Sequence, residues 1–180
     1  IGNPGPGSAN LLPGIVTADA SGREVSREVD VVVFATGFHV TDSYKYVDIK
    51  GPGGEDLVDR WNSEGISALR GITVADMPNL FFLLGPNTAL GHNSVVFMIE
   101  SQVQYILSCL QTMRARGLKL VDVRPDAQAR YNRKLHKRLD RTVWASGCNS
   151  WYRTRTGKIT TLWPGFTFEF WLRTRRFDAA

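Results

Sequence analysis

A chain of 180 residues, 43% hydrophobic and 22% charged, has the composition of an ordinary globular protein and is long enough for one domain or part of a larger one. Its net charge of +5 tolerates anionic partners without deciding the fold, and no apolar run approaches the ~18 residues that a membrane span requires. Cys109 and Cys148 lie far apart with no Cys-x-x-Cys pair, which points to free buried thiols in a reducing, cytoplasmic setting and away from a disulfide scaffold.

Residues 1–13, rich in glycine and proline, read as a linker or the edge of a fragment, with neither the basic nor the apolar region of a signal peptide. From Gly14 to Val25 two short β-type runs flank Asp19-Ala20-Ser21-Gly22, the pattern of a hairpin. Val29 to Phe34 then forms a β-branched run without polar alternation after Asp30, which predicts a strand covered on both faces. Ala35-Thr36-Gly37 ends it in residues small enough for a ligand or another backbone to come close. Tyr44 to Ser67 is rich in turn signals and predicts a surface loop with at most one short helix near Glu55 to Trp61.

Leu80 to Leu84 predicts a second buried strand, stopped by Gly85-Pro86 because proline withdraws the next backbone donor. Asn93 or Ser94 can cap the helix that follows, and Val96, Ile99, Val103, Ile106, Leu110 and Met113 recur at helical spacing as its expected buried face. Gly117 is placed to end that helix, and Leu118 to Val123 alternates like a half-exposed strand. Pro125-Asp126 opens a polar helix to about Val143. The tail from Trp144 to Ala180, with tryptophans at 144, 151, 163 and 171, reads as loops around short strands.

The strand, loop and helix from Leu80 to Met113 is the part best suited to chemistry. A helix start presents unpaired N–H groups and the positive end of the macrodipole, so a glycine-bearing loop that feeds it suits an electron-rich ligand atom. On physical grounds alone the same residues favour an ordinary connection in which Asn93 and Ser94 only cap the helix, with His92 as a capping or packing histidine, because such loops are common and most bind nothing. The basic stretch from Arg130 to Arg141 suggests a nucleic-acid module as a rival function, but Tyr131, Leu135 and Leu139 at four-residue spacing make the charges the solvated side of a packed helix. No Gly-x-Ser-x-Gly elbow is present, and the His and Cys residues never fall at metal-ligand spacing, so neither a serine hydrolase nor a metal site is expected.

Val31 to Phe38, read as V-V-V-F-A-T-G-F, resembles the strand and A-T-G signature before the last FAD-contacting region of class B flavoprotein monooxygenases, the flavin-containing and Baeyer-Villiger group. Met77 to Phe82, Gly85-Pro86-Asn87 and Gly91-His92-Asn93-Ser94 are similar to that family's closing flavin segment. Cys148 to Tyr152 and Trp163-Pro164-Gly165 are similar to its C-terminal part, so the resemblance runs from about Gly14 to Phe170.

What it implies is an α/β fold: the C-terminal part of an FAD-binding Rossmann-like domain over residues 14–123, with a small β-meander, followed by a C-terminal helix and Trp-rich extension over 124–180. It places Thr36, Gly37, Asn87, Gly91, His92, Asn93 and Ser94 beside FAD, and Trp151 and Tyr152 beside the substrate channel. It implies that NADPH reduces FAD, that the reduced flavin traps O2 as a C4a-(hydro)peroxide, and that one oxygen atom enters a ketone or a nitrogen or sulfur atom of a small organic substrate. The chain carries neither Gly-x-Gly-x-x-Gly turn of such enzymes. A missing N-terminal dinucleotide-binding part is therefore an expected partner, no catalytic side chain is assigned, and the isolated chain is expected to be inactive. A flavin-dependent pyridine-nucleotide reductase shares the A-T-G strand but not the Trp-rich tail, and an inactive relic is a third reading.

Overall fold

The computed structural model describes residues 14–35, 44, 46–146, 152–154 and 156–179, and the chain divides into two compact units, one up to Gly37 and one from Phe38 onward. Elements occur in the order β1 (Ile15–Ala18), β2 (Glu24–Arg27), α1 (Leu57–Glu64), α2 (Val95–Arg116), α3 (Pro125–Leu139), a 3-10 turn (Val143–Ala145) and α4 (Thr167–Thr174). This is a mixed α/β chain with four helices and one two-stranded sheet among the described residues.

In the first unit, β1 and β2 pair antiparallel with Ile15 opposite Arg27 and Ala18 opposite Glu24, the expected hairpin. Its turn is held by Asp19, whose Oδ1 accepts from the backbone N–H groups of Ser21 and Arg23 at 2.9 and 3.0 Å. The expected buried strand over Val29 to Phe34 is not formed. Val31, Val33 and Phe34 are 74%, 79% and 85% exposed, and no neighbouring strand pairs with them among the described residues. A buried strand requires a partner at its edges and a layer on each face, and the described part of this unit supplies neither.

In the second unit Asp56 caps α1 by accepting from Val58 and Asp59 at 2.7 and 3.2 Å, which directs Leu57 and Trp61, one turn apart, into the core. Helix α2 starts at the Ser94 cap and ends at Gly117, whose left-handed φ of 63° lets the Leu118 N–H return to the Met113 carbonyl at 2.8 Å. Helix α3 opens on Pro125 and stops at Leu139, four residues before the expected end, where the 3-10 turn takes over.

Three further expectations are corrected. Leu80 to Leu84 is irregular, with a bend at Leu83 and Leu84, and not a strand: Leu84 has a φ of 53°, which no strand residue adopts, and its N–H donates to the Gln102 side chain at 2.9 Å. Leu118 to Val123 is irregular, gripped by Asn79, whose backbone N–H donates to the Val121 carbonyl and whose side chain accepts from the Val121 N–H, both at 3.0 Å. The tail contains α4, which the alternating aromatic residues of Thr167 to Trp171 disguise as a strand.

The face that α2 buries also differs from its apolar stripe. Met98, Ser101, Gln102, Tyr105 and Cys109 are the buried residues, while Val96, Val103 and Leu110 are exposed. Burying polar groups here is sustainable because they are satisfied: Gln102 accepts from Leu84 N–H, and Ser101 donates to the Phe97 carbonyl at 2.8 Å. Cys109 is free and buried, and burial pushes its thiol pKa up.

One core cluster joins Met98 of α2, Leu135 and Leu139 of α3, Phe170 of α4 and the Ile159 to Trp163 segment; a second gathers Leu57, Trp61, Ala68, Val74 and Met77. Each fully buried Leu, Met or Phe side chain contributes roughly 1.5–3 kcal/mol. Helix α3 connects to the second cluster through polar groups: Gln128 accepts from the Ala75 N–H at 2.8 Å and Asn132 donates to the Ala68 carbonyl at 3.0 Å. The charges of α3 face outward as expected, with Arg133, Lys134 and Lys137 exposed, while burial pushes the Tyr131 phenol up to about 12. At the far end of the chain Arg70 forms a two-pronged pair with Asp178 at 2.9 and 2.7 Å, and the Tyr105 hydroxyl donates to the same carboxylate at 3.0 Å.

Candidate functional site

The ten residues from Gly85 to Ser94 carry the expected site, and burial splits them in two. Gly85, Pro86, Asn87 and Thr88 are buried, whereas Gly91, His92, Asn93 and Ser94 are exposed. The first half is fastened to the chain that precedes α4. Asn87 N–H donates to the Thr160 carbonyl at 2.8 Å and Ala89 N–H to the Thr161 carbonyl at 2.9 Å, while Trp163 N–H returns to the Ala89 carbonyl at 2.9 Å. The Asn87 side chain spends both amide hydrogens on the carbonyls of Ile159 and Leu162, at 2.8 and 3.1 Å. Its φ of 58° is a conformation that asparagine tolerates better than most residues. On the other side Gly85 and Gly71 touch through their backbones; a Cβ on Gly71, at a φ of 64°, would run into Thr88 and the Pro86 carbonyl.

The second half is held by its own side chains and is exposed. Asn93 Oδ1 accepts from the Ser94 N–H at 2.7 Å, and Ser94 Oγ caps α2 by accepting from the Phe97 N–H at 3.3 Å. Asn93 also donates to Thr167 Oγ1 at 3.3 Å, which connects this turn to the start of α4. The His92 ring lies nearly parallel to Trp144, 6.3 Å between centroids and 25° apart. No acidic residue occupies the first turn of α2, so the positive end of a 22-residue helix is not neutralised from within. A Cβ on Gly91 would meet nothing within 4 Å, so there is space above the turn. The arrangement can accept an electron-rich atom by donating backbone hydrogen bonds, and offers no nucleophile or proton-transfer pair.

Of the other expected site residues, Thr36, Gly37 and Trp151 lie outside the described residues, as does Cys148. Tyr152 is half-buried and packs against the core cluster that contains Trp163. Sequence reasoning missed Trp144 and Thr167 as neighbours of the turn, and Gly71 as the residue beneath it. Trp144 is visible in the sequence as one of the tail tryptophans, but nothing there signals that it reaches back to His92. Among the described residues no group of three or more His, Cys, Asp or Glu side chains could hold a metal ion, and no helix is long and apolar enough to cross a membrane.

No family model matches the sequence. A Baeyer-Villiger monooxygenase of Pseudomonas aeruginosa, however, is 50% identical over 164 residues, which is 90% of this chain and 31% of that protein. The chain is kin to the Baeyer-Villiger monooxygenases. A second Baeyer-Villiger monooxygenase, from Streptomyces coelicolor, is 43% identical over 168 residues, 92% of this chain and 31% of the relative. The crystal structure of OTEMO in complex with FAD and NADP matches with a TM-score of 0.67 at 26% identity, covering 83% of this chain and 29% of that one. The chain thus spans 31% of the length of either Baeyer-Villiger relative.

Proposed function

We propose that this chain is the flavin-facing C-terminal segment of an FAD-dependent, NADPH-using monooxygenase that inserts one oxygen atom from O2 into an organic ketone. The observation that carries the reading is the open turn Gly91-His92-Asn93-Ser94 at the unneutralised start of α2, within a stretch that is 50% identical to a Baeyer-Villiger monooxygenase. Donor chemistry of this kind suits FAD: the turn offers N–H groups and no carboxylate, the complement of the electron-rich edge of a reduced isoalloxazine. When bound, FAD would supply the activation of O2 after reduction by NADPH, and the protein would supply binding, orientation and exclusion of water.

Gly91, His92, Asn93 and Ser94 would contact the ring edge directly. Asn87 would act from beneath, because its amide is committed to Ile159 and Leu162 and fixes the height of the loop. Thr36 and Gly37 would lie along the cofactor, and Trp151 and Tyr152 along the substrate path. Residues 14–123 would complete a Rossmann-like FAD domain and 124–180 would form the extension. That boundary marks sequence regions and not separate bodies, since Met98 shares a core with Leu135 and Phe170. The ketone is preferred over a nitrogen or sulfur atom because the two relatives at 50% and 43% identity are Baeyer-Villiger enzymes.

The test is to replace the matching segment of the Pseudomonas relative with this chain and to follow NADPH-dependent oxygen uptake with a ketone, looking for the ester or lactone. Rapid NADPH oxidation with no oxygenated product would sink the reading in favour of a reductase. The isolated chain, lacking the glycine-rich phosphate turns, should retain far less than one FAD per chain after gel filtration.

A further inference from the structure

The loop from Gly85 to Ser94 is held from the C-terminal side at two points, and both lead to Arg138 of α3. In its middle the Ala89 carbonyl accepts from the Trp163 N–H at 2.9 Å, and the Arg138 guanidinium lies over the buried Trp163 ring, 5.5 Å from its centre. At its end Asn93 donates to Thr167 Oγ1 at 3.3 Å, and Thr167 is the first residue of α4. Two residues further on, Glu169 takes both prongs of Arg138, Nη1 on Oε1 at 2.6 Å and Nη2 on Oε2 at 2.8 Å. Gly165 leaves room for the pair, because a Cβ there would lie 2.5 Å from the carboxylate and 2.7 Å from the guanidinium.

Helix α4 needs such a grip. Its eight residues are too few to hold a helix in water, and the Phe166 cap supplies no side-chain hydrogen bond. Phe170 anchors its buried side in the core, but apolar contact is non-directional and leaves rotation and slide to the polar contacts. A two-pronged guanidinium–carboxylate bond fixes distance and plane together, which a single charge contact does not. Arg173 also donates to Glu169, at 2.8 Å, but that bond lies within α4 and connects it to no other element.

The geometry points to Arg138 and Glu169 as positioning residues for the turn Gly91-His92-Asn93-Ser94: their ion pair sets where Thr167 stands, and Thr167 sets how Asn93 holds the turn. This rests on the flavin-binding reading proposed above, and adds a pair distant in sequence that decides how firmly the turn is presented to the ring. Asn93 divides one side chain between two tasks, since its Oδ1 accepts from the Ser94 N–H at 2.7 Å while its amide reaches Thr167. Loss of the Thr167 contact frees that side chain to rotate, and the Ser94 N–H then loses its acceptor at the start of α2.

The first test is made on the chain itself, by amide exchange at Ser94 and Phe97, the two N–H groups that side chains hold at this turn. Arg138→Gln should speed both about 5-fold and leave the amides of α1 unchanged. Thr167→Val keeps the shape and removes the acceptor; it should do the same, and the double variant should add nothing to either single one. Arg173→Gln should leave both amides as they were. If Arg138→Gln is not recovered folded, Arg138→Lys, which keeps the charge without the two prongs, is held to the same outcomes. Faster exchange throughout the chain would make the pair an ordinary stabiliser, and additive effects would mean that Thr167 does not relay it; either result overturns the inference. The second test is an FAD titration of the chimera, the Pseudomonas relative carrying this chain in place of its own segment. There Arg138→Gln should raise the Kd for FAD about 5-fold, and Arg173→Gln should not. An equal Kd for the two variants overturns the inference and leaves the proposed function intact. A chimera that binds no FAD before any substitution removes the proposed function instead, while exchange in the isolated chain still decides whether the pair governs the turn.

Discussion

Two neighbouring tetrapeptides, Gly85-Pro86-Asn87-Thr88 and Gly91-His92-Asn93-Ser94, look alike in the sequence and have opposite surroundings. Each contains glycine, asparagine and a hydroxyl residue, yet the first is buried and the second exposed. In the first the asparagine side chain satisfies carbonyls seventy and more residues away, while in the second it satisfies its own neighbour and the start of α4. The same residue type serves as a fastener where its amide meets fixed backbone and as a local cap where solvent is close. Stability and ligand contact are therefore divided between the two halves: one sets the position of the turn and the other presents it.

Substitutions can break that division, and the largest effect is expected beneath the buried half. Gly71→Ala would force a Cβ at positive φ into Thr88 and the Pro86 carbonyl, and should cost about 3 kcal/mol of stability, read by denaturant titration. Next comes Asn87→Ala, which leaves the buried carbonyls of Ile159 and Leu162 without their side-chain donor; a loss of about 2 kcal/mol is expected. Ser94→Ala removes one cap and should cost about 1 kcal/mol. His92→Ala at the exposed turn should stay within about 0.5 kcal/mol of the parent. In the chimera, though, that last substitution should slow NADPH-dependent oxygenation by about 10-fold with stability unchanged. If His92→Ala destabilised the chain as much as Asn87→Ala, the two halves would not be distinct in the way described.

The first three helices were the legible part of the sequence, whereas α4 was not. Asp56, Ser94, Pro125 and Gly117 are local signals whose meaning does not depend on what is far away, and α1, α2 and α3 begin or end at them. Strands depend on distant partners, and that is where reading failed: Val29 to Phe34, Leu80 to Leu84 and Leu118 to Val123 have the residues of strands but no strand beside them among the described residues. The buried side of α2 was misread for a related reason. Its apolar stripe advertises a face that this chain leaves open, while Gln102 and Ser101 are buried because Leu84 and Phe97 happen to meet them. The site was legible as a loop with a capped helix. That Asn87 belongs to the scaffold, and that Trp144 and Thr167 border the turn, depends on contacts across more than fifty residues that no local pattern records.

The grip of Arg70 and Tyr105 on Asp178 makes the segment after α4 an acid-sensitive latch. Burial alone would raise the Asp178 carboxyl, but the hydrogen bonds and charge of Arg70, with the Tyr105 hydroxyl, outweigh it and hold the group below the usual aspartate range. A carboxyl depressed by folding lends its support fully above its unfolded pKa and withdraws it as the pH falls through the folded value. Amide exchange over residues 176–179, corrected for its intrinsic pH dependence, should therefore be faster in acid, and Asp178→Asn should abolish that contrast by leaving this segment loose at every pH. Arg70 adjoins Gly71, the residue on which the buried half of the loop rests, so unlatching this segment would slacken the footing of the turn.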